Sequence, residues 1–240
     1  MTDKAQEQLF APGTSSREKY AALIVGRAGL GALLMYELVV SIAQARAGAL
    51  GLALRKTLYP ILLGSCGRNV VFGQNVVLRH PHKIHVGSNI VIDDQCLLDA
   101  KGTDNRGIRI GDGVFIGRNT ILSCKNGDIE LADGANIGFN CELFSASRVT
   151  VGRDVLMAAY SYVIGGDHDF SNPAAPVVAQ PRTSAGVSIG DGAWIGAGAK
   201  ILDGVQVGAH AVIGAGAVVR ESVPSRAVAV GVPARVVSTR

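Results

Sequence analysis

The feature that most constrains this chain is a six-residue spacing of apolar residues. Segments such as "IGDGVF", "IGRNTI", "VGRDVL", "IGAGAK" and "IGAGAV" each begin with an apolar residue followed by glycine. A helix requires apolar residues three and four apart, and a half-exposed strand alternates apolar and polar residues, so neither pattern fits. Read in register, with restarts after insertions, the first positions form seven triplets that are apolar throughout: Cys66, Phe72, Leu78; Val86, Ile92, Leu98; Ile110, Ile116, Leu122; Leu131, Ile137, Leu143; Val151, Met157, Val163; Ile189, Ile195, Ile201; Val207, Ile213, Val219.

Each six-residue unit predicts one short flat strand and one turn. The first position points inward, as does the fifth, which is small or β-branched, for example Val114, Thr120, Ala193, Ala199 and Ala211. Three units close one triangular coil, and stacked coils form a parallel β-helix in which each coil buries its inner face against its neighbours. The 31 glycines lack a collagen period and accompany only 5% aromatic residues, as suits a backbone that turns often.

One long interruption of the repeat surrounds a single histidine. Residues 165–186 contain His168 between Asp167 and Asp169, and the repeat resumes after them. Insertions in a solenoid emerge at its surface because the coils above and below still stack. A loop of this length in a compact domain is typical of a functional element, and the alternative is a flexible surface loop with an incidental histidine.

The repeat, this loop and the closing segment "AWIGAGAKILDGVQVGAHAVIGAGAVVRESVPSRAVAVGVPARVV" together resemble the hexapeptide-repeat acyltransferases over about residues 66–235. The resemblance implies a mainly β fold, a left-handed parallel β-helix, assembled as a homotrimer. It also implies an enzyme that transfers an acyl group, here expected to be acetyl from acetyl-CoA, to a sugar or glycan hydroxyl. Left-handedness follows from the resemblance alone, since general crossover rules favour the opposite hand.

The candidate catalytic residues are His168, Asp167 and Asn140. A hydroxyl attacks a thioester poorly until its proton is removed, and imidazole titrates near neutral pH, so His168 is the expected general base. By resemblance, the loop histidine projects toward a neighbouring subunit. Asp167 either fixes the tautomer of His168 or only shapes the turn, and both roles remain open.

Asn140, in "IGFNCE", matches an asparagine that the family places near the acceptor and the thioester. Its position is also the fourth of a hexad, a turn where asparagine tolerates left-handed backbone. Some sugar acetyltransferases of the family carry acidic residues where this chain has Ser145 and Ala146. That difference leaves the identity of the acceptor open.

Coenzyme A is expected, by resemblance, in a groove between coils of adjacent subunits near the C-terminal end. Arg235 is the candidate partner of a coenzyme A phosphate, because guanidinium matches phosphate geometry. Glu221 stands where sugar acetyltransferases often have lysine, which weakens that assignment. Small residues let the cofactor approach the backbone, although they also simply pack coils. The matching positions are Trp194, Ala197, Ala215, Arg220 and Arg235.

A histidine cluster raises a rival hypothesis. His80, His82 and His85 lie within "LRHPHKIHVG", and a γ-class carbonic anhydrase-like zinc enzyme uses the same β-helix with three histidine ligands. Those ligands come from neighbouring coils and a subunit interface, whereas these three fall in one strand-turn segment whose alternate residues face opposite ways. We therefore expect no metal. His210 is expected to be a solvated turn residue, and a non-catalytic β-helix scaffold is the remaining alternative.

Charge and cysteine usage exclude other classes. The net charge is +4 and the pI about 9.0, but the basic residues are scattered and no nucleic-acid motif appears, so no nucleic acid partner is expected. The cysteines form no CxxC pair; Cys66, Cys96 and Cys141 fall at inward or small positions, and Cys124 is the fourth. With no secretory signal either, free thiols in a reducing cytoplasm are expected.

The amino end lacks the repeat. We expect a disordered tail over residues 1–17, apolar helices over residues 18–64, and the β-helix domain over residues 65–240 with its loop at 165–186. Charges recur at Arg27, Glu37, Arg46 and Arg55, so no uncharged run reaches the roughly 18 to 20 residues that cross a bilayer.

Two roles remain open for these helices. They either cap the open end of the β-helix or lie on the inner face of the membrane, with Arg46, Arg55 and Lys56 at the headgroups. Peripheral membrane contact of this kind would suit a lipid-linked acceptor.

Overall fold

The structure is a computed structural model that describes residue 13 and residues 15–240. The expected disordered tail lies outside the described residues, apart from residue 13 and residues 15–17. A capping box between Ser15 and Glu18 starts the first helix. The helical elements are α1 (Ser16–Tyr20), a π-helical turn (Ala21–Val25), α2 (Leu30–Ala43) and α3 (Gly48–Leu62), which together we call the helical cap.

The rest of the chain winds into three parallel sheets, which form the three faces of a β-helix. The first face contains Ser65–Cys66, Ile84–Val86, Ile108–Ile110, Asp128–Leu131, Arg148–Val151, Val187–Ile189 and Gln206–Val207. The second contains Val70–Phe72, Ile90–Ile92, Phe115–Ile116, Asn136–Ile137, Leu156–Met157, Trp194–Ile195, Val212–Ile213, Ala227–Gly231 and, antiparallel, Ala234–Thr239. The third contains Val77–Arg79, Leu97–Asp99, Ile121–Cys124, Glu142–Ser145, Tyr162–Gly165, Lys200–Ile201 and Val218–Val219.

The six-residue positions stack directly on one another. Ile137 pairs with Ile116 in the coil before and with Met157 in the coil after, and the same register holds on every face. Every first position is buried except Cys66, which is half-buried in the first coil. The predicted mainly β, parallel β-helical fold is therefore confirmed, with its core formed by the first and fifth positions.

The turns at the fourth positions adopt left-handed backbone. Asn119 and Asn140 have φ of 58° and 55°, and glycine occupies the equivalent corner in later coils, as at Gly198 and Gly216. Asparagine and glycine tolerate this conformation, which explains their recurrence. His210 has φ of 58° at such a corner, so it is a turn residue as expected.

The two edges beside the third face differ. Between the second and third faces the six-residue spacing is kept in every coil, and we call this corner the regular edge. Between the third and first faces lie the departures from that spacing, and we call this corner the insertion edge. It carries the 3-10 turn Pro81–Lys83, residues 100–107 and the loop at residues 165–186.

The helical cap packs on the first coil. The hydroxyls of Tyr36 and Tyr59 donate hydrogen bonds to the carbonyls of Leu78 and Val76, each at 2.9 Å. Val39 and Ala43 on α2 are buried in the same contact. The helices therefore cover apolar residues that the end of the β-helix would otherwise expose.

The membrane alternative placed Arg55 at the headgroups, and for that residue it is wrong. Arg55 is 1% exposed, because it shares the inward side of α3 with Tyr59. Its guanidinium donates to the carbonyl of Phe72 at 2.9 Å and to those of Ala43 and Arg46 at 3.0 and 2.6 Å. The Ala43 carbonyl lies in the last turn of α2, where it has no helical partner, and Arg46 lies in the connection to α3. Arg55 therefore satisfies the end of α2 and holds the connection that follows it.

The cysteines are free thiols. Cys96, Cys124 and Cys141 are buried and Cys66 is half-buried. Burial raises the pKa of the Cys96 thiol to about 12, which keeps it protonated and unreactive. Separately, no single helix in the described part of the chain is long and apolar enough to cross a membrane. By length and composition alone, the bent pair Ser16–Val25 and Leu30–Ala43, at 67°, passes as a broken span.

Candidate functional site

The histidine loop leaves the third face after Tyr162–Gly165 and returns to the first face at Val187–Ile189. Its base is a short antiparallel ribbon in which Asp167 pairs with Thr183 and His168 with Arg182. The Asp203 carboxylate accepts the N–H groups of residues 185 and 186, each at 2.8 Å, and the Ser184 hydroxyl donates to the Gly165 carbonyl at 2.9 Å. His168 therefore stands on an ordered base, not on a free coil.

Gln180 organises the outer part of the loop. Its side chain is 9% exposed and its Nε2 donates to the carbonyls of Asn172 and Ala175, both at 2.9 Å. Its Oε1 accepts the N–H of Asn172 at 3.1 Å. Sequence reasoning missed this residue, because a glutamine in a proline-rich loop belongs to no repeat or motif. The apolar side chains of Phe170 and Val178 remain 73% and 72% exposed.

The two nitrogens of His168 differ in access. Nδ1 is buried and has no hydrogen-bond partner among the described residues, so Nε2 is the nitrogen available to a ligand. The Asp167 carboxylate accepts the backbone N–H of His168 at 2.7 Å. In this structure, Asp167 thus shapes the turn and makes its hydrogen bond to backbone, not to the ring.

Asn140 lies on the regular edge. Its Oδ1 accepts a hydrogen bond from the Nδ2 of Asn119 in the coil before, at 3.2 Å. Its own Nδ2 has no partner within residues 15–240, which leaves a donor for a ligand. Asn140 therefore serves the corner as a left-handed turn residue and still presents an amide group outward.

Ala197 and Ala215 occupy the same edge in the last coils. The N–H of Gly216 donates to the carbonyl of Ala197 at 2.8 Å, which links the two corners. A Cβ at Gly196 would lie 2.6 Å from the nitrogen of Ala215, so the coils approach closely only because glycine is there. Trp194 is 48% exposed on the adjoining second-face strand. Three of the sequence-predicted cofactor positions thus adjoin the regular edge, where they form an open strip of small residues with an indole beside it.

Tyr160 stands on this edge between Asn140 and Ala197, and sequence reasoning did not single it out. It holds φ of 61°, a conformation that costs a bulky side chain free energy, and it is 67% exposed. Its N–H donates to the carbonyl of Phe139 at 3.0 Å, as the corner requires. A signal was present in the sequence, because tyrosine replaces the asparagine or glycine expected at a fourth position.

The two arginines are placed differently. Arg220 is exposed just after the last third-face strand, away from the regular edge. Arg235 is exposed in Ala234–Thr239, where its Nη1 lies 3.4 Å from the Oε1 of Glu221. The glutamate that departs from the family pattern is therefore the ion-pair partner of the candidate phosphate ligand.

His168 and Asn140 lie at opposite ends of the third face. Asn140 precedes Glu142–Ser145, which pairs in register with Tyr162–Gly165, and His168 follows the latter. Four residues of strand span roughly 10 Å. One chain therefore keeps the two candidate catalytic groups on separate edges.

The histidine cluster has structural contacts. His80 Nε2 is hydrogen-bonded to the carbonyl of Ala22 at 2.9 Å, and His85 Nδ1 to the hydroxyl of Ser65 at 3.0 Å. Burial lowers the pKa of His82 to about 4. Within the described residues, no group of three or more histidine, cysteine, aspartate or glutamate side chains is arranged to hold a metal ion.

Comparisons with known proteins agree with this architecture. Residues 186–221 match the family described as bacterial transferase hexapeptide (six repeats). The chain is 30% identical over 176 residues to dTDP-4-amino-4,6-dideoxy-D-glucose acyltransferase of Escherichia coli, an alignment covering 73% of this chain and 82% of that protein. It is 32% identical over 133 residues to a probable acetyltransferase of Mycobacterium tuberculosis, covering 55% of this chain and only 44% of that longer relative.

A solved structure is also similar. A mutant of AntD, an N-acyltransferase from Bacillus cereus in complex with dTDP and coenzyme A, superposes with a TM-score of 0.55 and 25% identity. The superposition covers 82% of this chain and 91% of that one. The repeat, the parallel three-sided fold and the extended match to a sugar acyltransferase agree. The chain therefore belongs to the hexapeptide-repeat acyltransferases.

Proposed function

We propose that the protein is an acyl-CoA-dependent O-acyltransferase that transfers an acetyl group to a hydroxyl of a sugar or glycan, as a homotrimer. The observation that carries the proposal is the placement of His168 and Asn140 on different edges of one chain. A three-fold assembly lets the insertion edge of one subunit face the regular edge of the next, so that a site forms at each interface.

His168 acts as the general base through Nε2. It accepts the proton of the acceptor hydroxyl as the oxygen attacks the thioester carbonyl. The C–S bond then breaks, the carbonyl re-forms, and the imidazolium returns the proton to the leaving thiolate. Coenzyme A leaves as a free thiol and His168 ends neutral.

Asn140 of the neighbouring subunit donates its Nδ2–H to the thioester carbonyl oxygen, where negative charge develops during attack. Support comes from the unpaired Nδ2 group in this structure. Asp167 holds the backbone of His168 by accepting its N–H, and this contact positions the ring.

Acetyl-CoA lies along the regular edge. Ala197 and Ala215 let the pantetheine approach backbone groups, and the exposed indole of Trp194 flanks it. Arg235 binds a phosphate after leaving Glu221, and Arg220, which lies off the regular edge, adds positive charge to the C-terminal end of the β-helix. The AntD complex, which contains coenzyme A, supports acyl-CoA as the donor. Such a donor and free thiols suit the cytoplasm.

An amine of an amino sugar is the second candidate acceptor, because the E. coli relative is named for a dTDP-aminosugar. The test is a thiol-release assay with acetyl-CoA and a panel of neutral and amino sugars, free and nucleotide-linked. We expect release with hydroxyl acceptors lacking an amine. Release only with amino sugars would overturn O-acylation, and failure to bind any acyl-CoA would support a scaffold instead.

A further inference from the structure

A basic cavity lies where the helical cap meets the insertion edge. It has a volume of about 650 Å³ and is lined by polar and apolar side chains from both. Glu18 is its acidic lining residue, and that carboxylate is held by Ser15 in the capping box at 2.8 Å. The basic residues that line it are Arg17, Arg27, Lys83, Lys101 and Lys125.

The cavity is a built feature of the fold. His80 fixes the π-helical turn against the first coil, since its N–H donates to the Ile24 carbonyl at 2.7 Å and its Nε2 bonds the Ala22 carbonyl. Gly26 follows with φ of 72°, and a Cβ there would lie 2.4 Å from the His80 ring. Only glycine therefore allows the chain to turn at the wall of the cavity.

The positive charge of the cavity is only partly compensated. Lys83 Nζ donates to the carbonyl of Gly102 at 2.7 Å and to Asn105 Oδ1 at 2.9 Å, both uncharged groups. Lys101 lies 3.5 Å from the Asp99 carboxylate. Among the described residues, and with Lys125 left aside, Arg17, Arg27, Lys83 and Lys101 outnumber Asp99 and Glu18, so the cavity favours an anionic ligand.

An apolar stripe on α2 continues from the mouth of the cavity. Its residues repeat every four positions, on the side opposite the buried Tyr36, Val39 and Ala43. Leu30 both lines the cavity and begins the stripe, so the two surfaces are continuous. The stripe consists of Leu30, Leu34, Leu38 and Ile42, which are 56%, 58%, 57% and 39% exposed.

Charge identifies the occupant of this surface. Arg46 and Lys56 are exposed and Lys19 is half-buried on the helical cap, in addition to the basic residues of the cavity. The second acidic residue of the helical cap, Glu37, accepts a hydrogen bond from the Tyr20 hydroxyl at 2.6 Å. A second copy of the same surface would bring like charges together, whereas an anionic bilayer offers both phosphate and apolar chains.

We propose that the basic cavity and the apolar stripe form one binding site for an anionic phospholipid at a bilayer surface. The headgroup phosphate enters the cavity beside Arg17 and Arg27, and the acyl chains meet Leu34 and Leu38. Lys125 follows Ile121–Cys124 on the insertion edge, two coils before the strand that leads to His168. Two stacked coils measure roughly 10 Å along the axis of the β-helix. If the proposed function holds, bound lipid therefore lies about that far along the axis from the general base, as a lipid-linked acceptor requires.

The test is flotation of the full chain with vesicles of phosphatidylcholine alone and with added phosphatidylglycerol. We expect co-flotation only with phosphatidylglycerol, and at least a tenfold loss at high salt because the attraction is screened. The variants Leu34→Ser/Leu38→Ser and Arg17→Gln/Arg27→Gln should each reduce binding about tenfold. Matched controls are Val236→Ser/Val237→Ser and Arg68→Gln/Arg109→Gln, which alter exposed residues elsewhere and should float like the unaltered protein.

Two further measurements distinguish lipid binding from a free anion site and from self-association. Inorganic phosphate at millimolar concentration tests for a free anion site. If it displaces the protein from vesicles as effectively as competing phosphatidylglycerol vesicles do, the lipid assignment is overturned. Stripe variants that change the sedimentation coefficient while flotation is kept would assign the stripe to self-association. Absence of flotation at low salt would overturn the proposal. Binding requires no acyl transfer, so these outcomes are independent of the proposed function.

Discussion

The regular edge and the insertion edge flank the same face but are built under different constraints. On the regular edge every corner has six-residue spacing, a left-handed fourth position and a backbone hydrogen bond to the next coil, as between Gly216 and Ala197. On the insertion edge the chain leaves the β-helix in several coils and returns in register, as around His168. A corner is free to lengthen because stacking is maintained by the strands on either side of it.

This difference separates two kinds of functional group. The regular edge offers backbone and small residues in a fixed array, which suits a long, extended ligand such as coenzyme A. The insertion edge offers side chains on excursions, such as His168 and the lysines of the basic cavity. Under the proposed function, a site that needs both takes one from each of two subunits, since they lie a face apart within a chain.

The largest expected effect comes from removing the base on the insertion edge. His168→Ala should lower the transfer rate by about 10² to 10⁴ while leaving folding and assembly intact, because His168 lies in a loop outside the core. The measurement is steady-state thiol release, with circular dichroism and sedimentation to check the fold. The matched control is His210→Asn, which keeps a residue suited to its left-handed turn and should retain activity. Near-normal turnover in His168→Ala would remove that residue from the mechanism.

The next effect tests whether the two edges meet between subunits. Asn140→Ala should lower the rate by about 10² through loss of a donor to the developing oxyanion. Co-refolding it with His168→Ala in equal amounts should restore about a quarter of the original activity, because a fraction of interfaces combine both intact residues. The control is each variant refolded alone. Mixed oligomers as inactive as their parents would place both groups in one chain's site and overturn a site shared between the two edges of neighbouring subunits.

Much of the regular edge could be predicted from the sequence, because each of its properties repeats with the period of the fold. The buried first positions and the turn at Asn140 follow from spacing and residue type. For the insertion edge, the sequence predicts where the loop lies but not its internal structure. The hydrogen bonds of Gln180 inside the loop depend on contacts that no repeat encodes. The burial of Arg55 also escaped prediction, because nothing in the apolar segment distinguishes an inward charge from an outward one, and its bonds are to the carbonyls of Ala43 and Arg46 at and after the end of α2.

Tyr160 is the exception on the regular edge. Replacing it should have smaller effects, of opposite benefit, on stability and on binding of the acceptor. Replacing it by asparagine should stabilise the fold by about 1 kcal/mol, because asparagine adopts the left-handed backbone at less cost. The same change should raise the KM for the sugar acceptor severalfold, because an exposed aromatic ring beside Asn140 stacks on sugar. Thermal unfolding and acceptor titration measure the two effects, with Asn75→Gly as the corner control, because Asn75 has the same left-handed backbone far from Asn140. Stabilisation without a change in KM would show that the strain serves no binding role.

The smallest expected effect is on the pH dependence of stability. It should arise from the first turn of the insertion edge and not from that of the regular edge. The first turn of the insertion edge contains His80, His82 and the neighbouring His85, and burial lowers the pKa of all three, that of His82 to about 4 with help from Arg27. Because an unfolded histidine has a pKa of about 6.5, the unfolded chain binds more protons between about pH 6.5 and 4. The stabilisation from neutral histidines is therefore complete above about pH 6.5 and is lost as the pH falls toward 4.

The corresponding corner of the regular edge holds Asn75, which does not titrate in this range, so the acid sensitivity should arise in the helical cap and the insertion edge. We expect the melting temperature of the protein to fall by about 3 °C between pH 7 and pH 5 through these histidines, on the scale of a chain of this size. His82→Gln should reduce that fall, because glutamine stays neutral at both pH values, whereas Asn75→Gly, which removes no titrating group, should not change it. Scanning calorimetry of the three proteins at the two pH values makes the measurement. Equal decreases in all three would show that the buried histidines carry none of the acid sensitivity and that the two edges respond to pH alike.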